Sequence, residues 1–436
     1  MTGASMNLLL PRKHWVRYAK ARFGVVVAGL AEAGPGSTTP ATRSGFPKRF
    51  RKCPWGLFFP APIARLLSTL VVSTMAMATE PATPALYREP FAESFPIRQE
   101  QHLQIKAYAD NLLQAQAEQA LHSVTPDFSS LAAYERSLHS YRDRLGDFFG
   151  TPPPGAKDGR VIKFLQVGED AECTVNRVWI EVIDGVEAYG IYLVPKQRKA
   201  KAPLLIAQHG GGGNPEAICD LDTRINYRSF GREAVKRGYL VWAPALAMRS
   251  VFSGDEPIPH ASRELLDQKL KLAGTSIIGL ELHKIIASTR ALMKVRPEID
   301  PERVGMTGLS WGGFFTMYAT ALAPFIKVAA PSGYFRDYAQ LLHRAQADDA
   351  RAADREVFGS LGHFQAIALI CPRPCLVQIG EQDGALNNLD GARVEAERAA
   401  AFYRQLGLAD RFQFQVHPGG HEFEPAAILD FFDRHL

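Results

Sequence analysis

The sequence has few of the features that mark metal sites, nucleotide sites and repeat proteins. Its 436 residues include five cysteines, and no Cys and His spacing suits a zinc site. It contains neither the Gly-Lys-Ser/Thr ending of a phosphate-binding loop nor a G-x-G-x-x-G dinucleotide fingerprint. An internal repeat of solenoid length is also absent. We therefore expect a protein that needs no metal and no organic cofactor.

Net positive charge is absent once the N-terminal segment is set aside. Residues 1–78 contain eleven Lys and Arg residues and one acidic residue, Glu32, a balance of +10, so the rest of the chain carries −5 of the total of +5. This excludes general nucleic-acid binding by the folded region. At 46% hydrophobic and 22% charged residues, the composition favours a soluble enzyme that acts on a small molecule. It leaves the oligomeric state open.

The N-terminal segment has the order of features found in secretory signals. A basic run at 48–52 precedes a short apolar stretch at 66–72 and the Ala-Met-Ala of 76–78. The apolar stretch is too short and too polar for a membrane span. Because the signal does not begin at the first residue, we expect 1–78 to be a leader made of a disordered extension and a signal peptide. The predicted protein is exported, periplasmic or secreted; a disordered tail on a cytoplasmic protein is the alternative.

The cysteines are relevant to whether the protein is exported. Cys53 lies in the leader and the other four lie beyond it. In an exported protein, Cys173 and Cys219 are the pair that we would consider bridged. Cys371 and Cys375 flank a Pro-Arg-Pro at a strand start, and we expect them to be small core residues.

Hydrophobic periodicity divides the chain after the leader into two parts. Helical spacing at 99–122 and 130–149 predicts an N-terminal helical extension over residues 79–155. Residues 156–436 are predicted to form one α/β catalytic domain with a doubly wound, mostly parallel sheet. Its strands are expected at 160–166, 177–183 and 190–194, starting antiparallel, and then at 203–208, 239–244, 304–309, 327–330, 375–380 and 412–416, with helices at 277–294, 314–322, 391–406 and 425–435.

The pentapeptide Gly308-Leu309-Ser310-Trp311-Gly312 has the G-x-S-x-G spacing of a nucleophile elbow. In that turn a serine leaves a strand and enters a helix at once, and only small neighbours leave room for it. The apolar run before the motif predicts a strand, and the residues after it predict a helix. We therefore predict a nucleophilic Ser310 rather than an ordinary Gly-rich turn.

A serine hydroxyl needs a base and an acid that orients the base. In this arrangement they follow the serine in the order acid, then histidine. Asp383 lies in the loop that leaves the strand at 375–380, where a functional carboxylate is expected. His421 lies in the loop after the strand at 412–416. We predict Asp383 as the acid and His421 as the base.

Other residues compete for these roles. His417 lies at a strand end and is expected to cap or pack. Asp337, which follows an earlier strand, is the second candidate for the acid. Glu381 and Asp390 are expected to be solvated loop charges.

The tetrahedral intermediate needs two backbone N–H groups, one from the residue after the nucleophile and one from an earlier loop. The first predicted donor is Trp311. The second should come from the Gly-rich segment 209–213, which directly follows an apolar strand, because glycine lets a backbone approach the substrate closely. We favour Gly211 and then Gly212 for this oxyanion hole, and we expect His209 to be structural.

Six segments carry a resemblance to a known family: 209–212, 296–305, 308–313, 371–374, 380–383 and 418–423. Through them, residues from about 133 to 436 resemble the α/β-hydrolase superfamily, in particular its dienelactone-hydrolase-like branch, which includes acetyl-xylan-esterase-like proteins. The resemblance implies the α/β-hydrolase fold. Dienelactone hydrolases proper use a cysteine nucleophile where this chain has Ser310, which argues for ordinary ester hydrolysis. The segment 246–275 looks particular to this chain.

Together these residues predict a serine esterase that cleaves short-chain acyl esters of the acetyl type through an acyl-enzyme. A serine peptidase of the prolyl-oligopeptidase type would share the triad, but too few residues precede the strand at 203–208 for its large propeller domain. A non-catalytic binding protein on the same fold would be expected to lose a triad member. The loop with Met248, Val251 and Phe252 is expected either to line the substrate pocket or to be a surface insertion.

Overall fold

The computed structural model describes residues 86–221, 225–247, 263–337, 361–384 and 389–436. The predicted leader lies outside the described residues, and so do Met248, Val251 and Phe252. The predicted division at residue 78 therefore stays a prediction.

One mixed sheet runs through the described part of the chain, and its strands are β1 (Ala156–Glu169), β2 (Cys173–Ile183), β3 (Val186–Pro195), β4 (Ala202–Gln208), β5 (Leu240–Pro244), β6 (Ile299–Leu309), β7 (Val328–Ser332), β8 (Cys375–Gly380) and β9 (Phe412–His417). Their order across the sheet is β1-β2-β3-β5-β4-β6-β7-β8-β9. The first three strands are antiparallel, as predicted, and β5 pairs antiparallel with β3. From β5 through β4 to β9, neighbouring strands are parallel.

The central strands are apolar on both faces because helices cover both faces. Every residue of β4 is buried. Leu204 and Ile206 belong to one apolar cluster, and Leu205 and Ala207 belong to the other. An apolar run without polar alternation is typical of a parallel strand that is buried on both sides. This arrangement confirms the predicted doubly wound, mostly parallel α/β sheet.

The helices of the described residues are α1 (Phe91–Leu121), α2 (Leu131–Ser137), α3 (His139–Phe149), α4 (Pro215–Ile218), α5 (Phe230–Lys236), α6 (Arg263–Leu272), α7 (Ile277–Val295), α8 (Trp311–Leu322), α9 (His363–Ile370), α10 (Leu389–Gln405) and α11 (Pro425–His435). Single 3₁₀ turns occur at Ile225–Tyr227 and Ala409–Arg411. One apolar cluster contains side chains of α4, α5 and α11, and the other contains side chains of α2, α3 and α7 to α10. The helices therefore lie on both faces of the sheet.

Two predicted helix boundaries near the N terminus are wrong. Helix α1 begins at Phe91, well before the predicted start at residue 99, because the chain stays helical through Pro96. Proline lacks the N–H that a helix interior uses, so the residues before it give a weak helix signal. The predicted helix over 130–149 is two helices, because the chain turns at Leu138, whose N–H donates to the carbonyl of Glu135.

The cysteines Cys173, Cys219, Cys371 and Cys375 are all buried and have free thiols. The pair that we considered for a bridge, Cys173 and Cys219, is therefore not joined by a disulfide. Both side chains pack in the same apolar cluster, where a thiol fills space as a small hydrophobic group. Cys371 and Cys375 are core residues, as predicted.

The described residues offer neither a membrane span nor a metal site. None of their helices is both long enough and apolar enough to cross a bilayer. No three of their His, Cys, Asp and Glu side chains are grouped so that they could hold a metal ion.

Candidate active site

Ser310 lies on the sharp turn between β6 and α8. Its backbone has φ 61° and ψ −122°, a conformation that is costly for a residue with a side chain and that clusters at functional sites. A Cβ atom on Gly308 would lie 2.4 Å from the Gly312 carbonyl, and one on Gly312 would lie 2.1 Å from the Gln208 carbonyl oxygen. Both glycines are therefore needed for steric reasons. The surroundings of Ser310 are the strand, tight turn and helix that a nucleophile elbow requires.

The end of β7 supports both Ser310 and His421. The N–H of Ser310 donates to the carbonyl of Ser332 at 2.9 Å. A Cβ atom on the next residue, Gly333, would lie 3.3 Å from Cε1 of His421. The nucleophile and the base predicted from the sequence therefore both lie beside the end of β7, at the same edge of the sheet.

His421 is hydrogen-bonded to Asp383. The distance between its Nδ1 and Oδ2 of Asp383 is 2.8 Å. Asp383 is 2% exposed, whereas the His421 side chain is 26% exposed and remains accessible to a substrate. A buried carboxylate that accepts from Nδ1–H holds the imidazole in the tautomer whose Nε2 can take a proton.

Backbone hydrogen bonds hold together the two loops that carry this pair. The N–H of Gln382 donates to the Gly419 carbonyl at 3.0 Å, and the N–H of Glu381 donates to the His417 carbonyl at 2.7 Å. The loop after β8 and the loop after β9 therefore lie side by side. The position of Asp383 relative to His421 is set by main-chain contacts before any substrate binds.

The competing candidates have other surroundings. His417 is 4% exposed, and its Nδ1 accepts from the Gly419 N–H at 3.2 Å. Asp337 lies 3.8 Å from the guanidinium of Arg398. Glu381 is an exposed residue. The described contacts thus bring Asp383, and none of these residues, into a hydrogen bond with His421.

The two predicted oxyanion donors are neighbours. Trp311 is the first residue of α8, so its N–H belongs to the first helical turn and has no acceptor within the helix. A Cβ atom on Gly211 would lie 2.8 Å from Cδ1 of Trp311, whereas one on Gly212 would meet no heavy atom within 4 Å. The N–H of Gly210 is engaged, because it donates to the Tyr227 hydroxyl at 2.8 Å. Gly211, unlike Gly212, therefore packs against Trp311, and its role as the second donor stays a prediction.

His209 links the Gly-rich loop to the loop after β5. It is fully buried. Its Nε2 accepts from the Leu246 N–H at 2.9 Å, and its Nδ1 lies 2.9 Å from the Gly210 carbonyl oxygen. Because both ring nitrogens are used in these contacts, His209 has the structural role expected of it.

A buried ion pair that the sequence analysis missed holds the same loop. Lys284 Nζ lies 2.9 Å from a carboxylate oxygen of Glu281. Lys284 also donates to the Ala245 carbonyl at 3.0 Å, and Glu281 accepts from the Ala247 N–H at 2.9 Å. The signal for this pair was present, since two opposite charges three residues apart interrupt an apolar helix sequence.

Trp311 is also the contact point of α6. Its indole packs against the rings of Phe314 at 5.3 Å and Tyr334 at 6.1 Å. The guanidinium carbon of Arg263, at the start of α6, lies 4.6 Å from the ring centroid, within the range of a cation–π contact. Arg263, in the segment 246–275, therefore lies against the residue that follows the nucleophile.

Comparison with known protein families bears on this geometry. Residues 195–383 match the dienelactone hydrolase family. The matched segment includes Ser310, Gly211 and Asp383. His421 lies beyond it, in the loop after β9. The match confirms the predicted resemblance and supports the prediction of a carboxylic ester hydrolase.

Individual relatives agree with this family and fold. YtaP of Bacillus subtilis (strain 168), a protein assigned as a hydrolase, is 27% identical over 275 residues, which are 61% of this chain and 88% of YtaP. A Bacteroides fragilis protein assigned as an acetyl xylan esterase has a TM-score of 0.52 at 16% identity, over 68% of this chain and 80% of that one. Methylesterase BT1017 has a TM-score of 0.55 at 18% identity, over 74% and 68%. These two solved structures show the α/β-hydrolase fold, as predicted.

Proposed function

We propose that this chain is a serine esterase that cleaves short-chain acyl esters through an acyl-enzyme on Ser310. The observation that carries the proposal is the 2.8 Å hydrogen bond between His421 and the buried carboxylate of Asp383, beside a serine with the backbone of a nucleophile elbow. A serine alone is a weak nucleophile, whereas a serine next to an oriented imidazole can be acylated at neutral pH.

Acylation begins when Ser310 Oγ attacks the ester carbonyl carbon. Nε2 of His421 takes the serine proton, and the Asp383 carboxylate stabilises the imidazolium that forms. The N–H groups of Trp311 and Gly211 donate to the carbonyl oxygen as it becomes an oxyanion. The tetrahedral intermediate then collapses, the alcohol leaves with the proton from His421, and the acyl group remains on Ser310.

Deacylation repeats these steps with water. His421 takes a proton from a water molecule, which attacks the acyl carbon, and the same two N–H groups hold the second oxyanion. Collapse of this intermediate breaks the bond to Ser310 Oγ, which regains its proton from His421. The products are the free acid and an unchanged enzyme, so the cycle consumes only ester and water.

The preference for a small acyl group rests on two observations. The indole of Trp311, with the guanidinium of Arg263 over it, forms a bulky wall beside the nucleophile. The solved structures with the same fold include a protein assigned as an acetyl xylan esterase, which is named for a two-carbon acyl group. We therefore assign acetyl-type esters as the substrate class.

The test is hydrolysis of p-nitrophenyl acetate, butyrate and octanoate by the full chain and by its Ser310→Ala variant. We expect kcat/KM to fall with chain length and the variant to lose at least about a thousandfold of the wild-type rate. Ser94→Ala, a partly exposed serine of α1, is the matched control and should keep full activity. Wild-type activity in Ser310→Ala, or no activity in the wild type, would contradict the proposal.

A further inference from the structure

A short segment that precedes α5 contacts both halves of the proposed catalytic machinery. The Tyr227 hydroxyl accepts a hydrogen bond from the Gly210 N–H at 2.8 Å. The carbonyl of Asn226 accepts from the Phe423 N–H at 3.0 Å, and Phe423 lies two residues after His421. One segment therefore reaches the Gly-rich loop with its side chain and the histidine loop with its main chain.

The Tyr227 hydroxyl lies inside the turn of the Gly-rich loop. Tyr227 is 1% exposed, and a Cβ atom on Gly213 would lie 1.8 Å from its oxygen. The N–H of Gly213 donates to the Gly210 carbonyl at 3.1 Å, so residues 210–213 form a turn with Gly211 and Gly212 at its two central positions. The turn is built around the phenolic oxygen, and no larger residue fits at Gly213.

The orientation of the Gly211 N–H follows from this turn. The carbonyl of Gly210 and the N–H of Gly211 belong to one planar peptide unit and point in opposite directions. The Gly210 carbonyl accepts from the Gly213 N–H and lies 2.9 Å from His209 Nδ1. The N–H of Gly210 itself donates to the Tyr227 hydroxyl. A Cβ atom on Gly210 would lie 3.1 Å from Cβ of Ser310, so Gly210, where this peptide unit begins, lies against the nucleophilic serine.

We propose that the Tyr227 hydroxyl is a positioning residue for the oxyanion hole. By accepting from the Gly210 N–H, it fixes a run of glycines in the conformation that points the Gly211 N–H at the developing oxyanion. Glycine has the largest backbone freedom of any residue, so without this anchor the donor would have to be ordered in each turnover. A donor that is already oriented stabilises the transition state more than the ground state. This inference rests on the proposed function.

The same segment also contacts the loop that carries His421. The Phe423 ring stacks on Phe230 at 4.9 Å and lies 6.2 Å from the Tyr227 ring. Arg228, directly after Tyr227, pairs with Glu422, directly after His421, at 2.6 Å. The distance between the oxyanion donor and the imidazole is therefore set by one short stretch of chain, through contacts on both sides of it.

Tyr227→Phe tests the inference, because it removes the hydroxyl and keeps the buried ring. We expect kcat for p-nitrophenyl acetate to fall about ten- to a hundredfold, as for a displaced catalytic group, with KM within about threefold of the wild type. The matched control is Tyr134→Phe, which removes an equally buried hydroxyl that donates to the Ala368 carbonyl at 2.8 Å, remote in sequence from the triad. A merely structural role would lower the melting temperature of both variants and leave kcat unchanged in both.

A second variant reaches the same contact from the other side. Gly213→Ala places a methyl group where the Tyr227 oxygen lies and should lower kcat by a similar factor with the hydroxyl still present. The double variant should be no slower than the slower single variant, since both changes break one contact. Wild-type kcat in Tyr227→Phe, with Ser310→Ala inactive, would overturn this inference alone. An inactive wild type, or an active Ser310→Ala, would overturn the proposed function and this inference with it.

Discussion

Asp383 and His421 are joined by a 2.8 Å hydrogen bond, although 38 residues separate them in the sequence. Strand register explains the contact. The last residues of β8 and β9, Gly380 and His417, are paired in the sheet, and the two functional side chains follow these residues by three and four positions. Because parallel strands end at the same edge, the acid and the base reach each other through short loops.

The acid assignment can be tested by comparing two carboxylates. Asp383→Asn should lower kcat by about 10³- to 10⁴-fold with the fold intact, because an amide favours the wrong imidazole tautomer. Asp337→Asn, which changes the second candidate for the acid, should leave kcat within about twofold. Steady-state hydrolysis of p-nitrophenyl acetate, with circular dichroism as the check on folding, measures both. A large loss in Asp337→Asn with little in Asp383→Asn would reverse the assignment.

The oxyanion assignment can be tested with two neighbouring glycines. In Gly211→Ala the new methyl group would lie 2.8 Å from Cδ1 of Trp311, so the loop must shift, and we expect kcat to fall about ten- to a hundredfold. In Gly212→Ala the methyl group meets no heavy atom within 4 Å, and kcat should stay within about twofold of the wild type. Equal kcat in the two variants would argue against Gly211 as the donor.

Most of the sheet could be predicted from the sequence because each buried strand is an apolar run between turn signals. The run ending at Gln208, for example, is buried throughout and matched its predicted limits within one residue. The triad candidates could also be named, since each follows such a strand in the order that the fold requires. These signals are local, and they do not depend on which distant residues touch.

The contacts that the sequence did not reveal are those between distant residues. Tyr227 reaches Gly210 across 17 positions, and Arg228 reaches Glu422 across 194. Neither pair belongs to a spacing pattern, so no periodicity could indicate it. The free thiols of Cys173 and Cys219 are a further example, because the sequence left their bridging open and only the folded structure decides it.

The buried ion pair of α7 should contribute to stability through both charges. Lys284→Met would leave Glu281 buried without a counterion, and we expect the free energy of unfolding to fall by about 3 kcal/mol. In Glu281→Gln/Lys284→Met no charge remains buried, so the double variant should lose less than the sum of the single variants. Urea unfolding of the four proteins measures this coupling. Additive losses would mean that the two charges act independently.

The titration of Glu395 in α10 should make the free energy of unfolding depend on pH. Its side chain is fully buried, and this burial raises its pKa to about 7, against the opposing effects of the Phe364 N–H and Arg398. In the unfolded chain a glutamate has a pKa near 4.5. Between these two values the folded protein holds a proton that the unfolded chain releases, so the free energy of unfolding should fall as the pH rises from about 4.5 to 7.

Glu395→Gln removes this titration while its amide oxygen can still accept from the Phe364 N–H, which lies 3.2 Å from the wild-type carboxylate. Relative to the wild type, the variant should therefore gain up to about 3 kcal/mol in the free energy of unfolding between pH 4 and 8. Urea unfolding across this pH range measures the difference. The control is Glu397→Gln, which changes an exposed carboxylate of the same helix; its free energy of unfolding should depend on pH in the same way as that of the wild type. If the Glu395→Gln and wild-type stabilities changed in parallel with pH, the pKa of Glu395 in the folded protein would lie near its unfolded value of 4.5, with Arg398 and the Phe364 N–H offsetting the effect of burial.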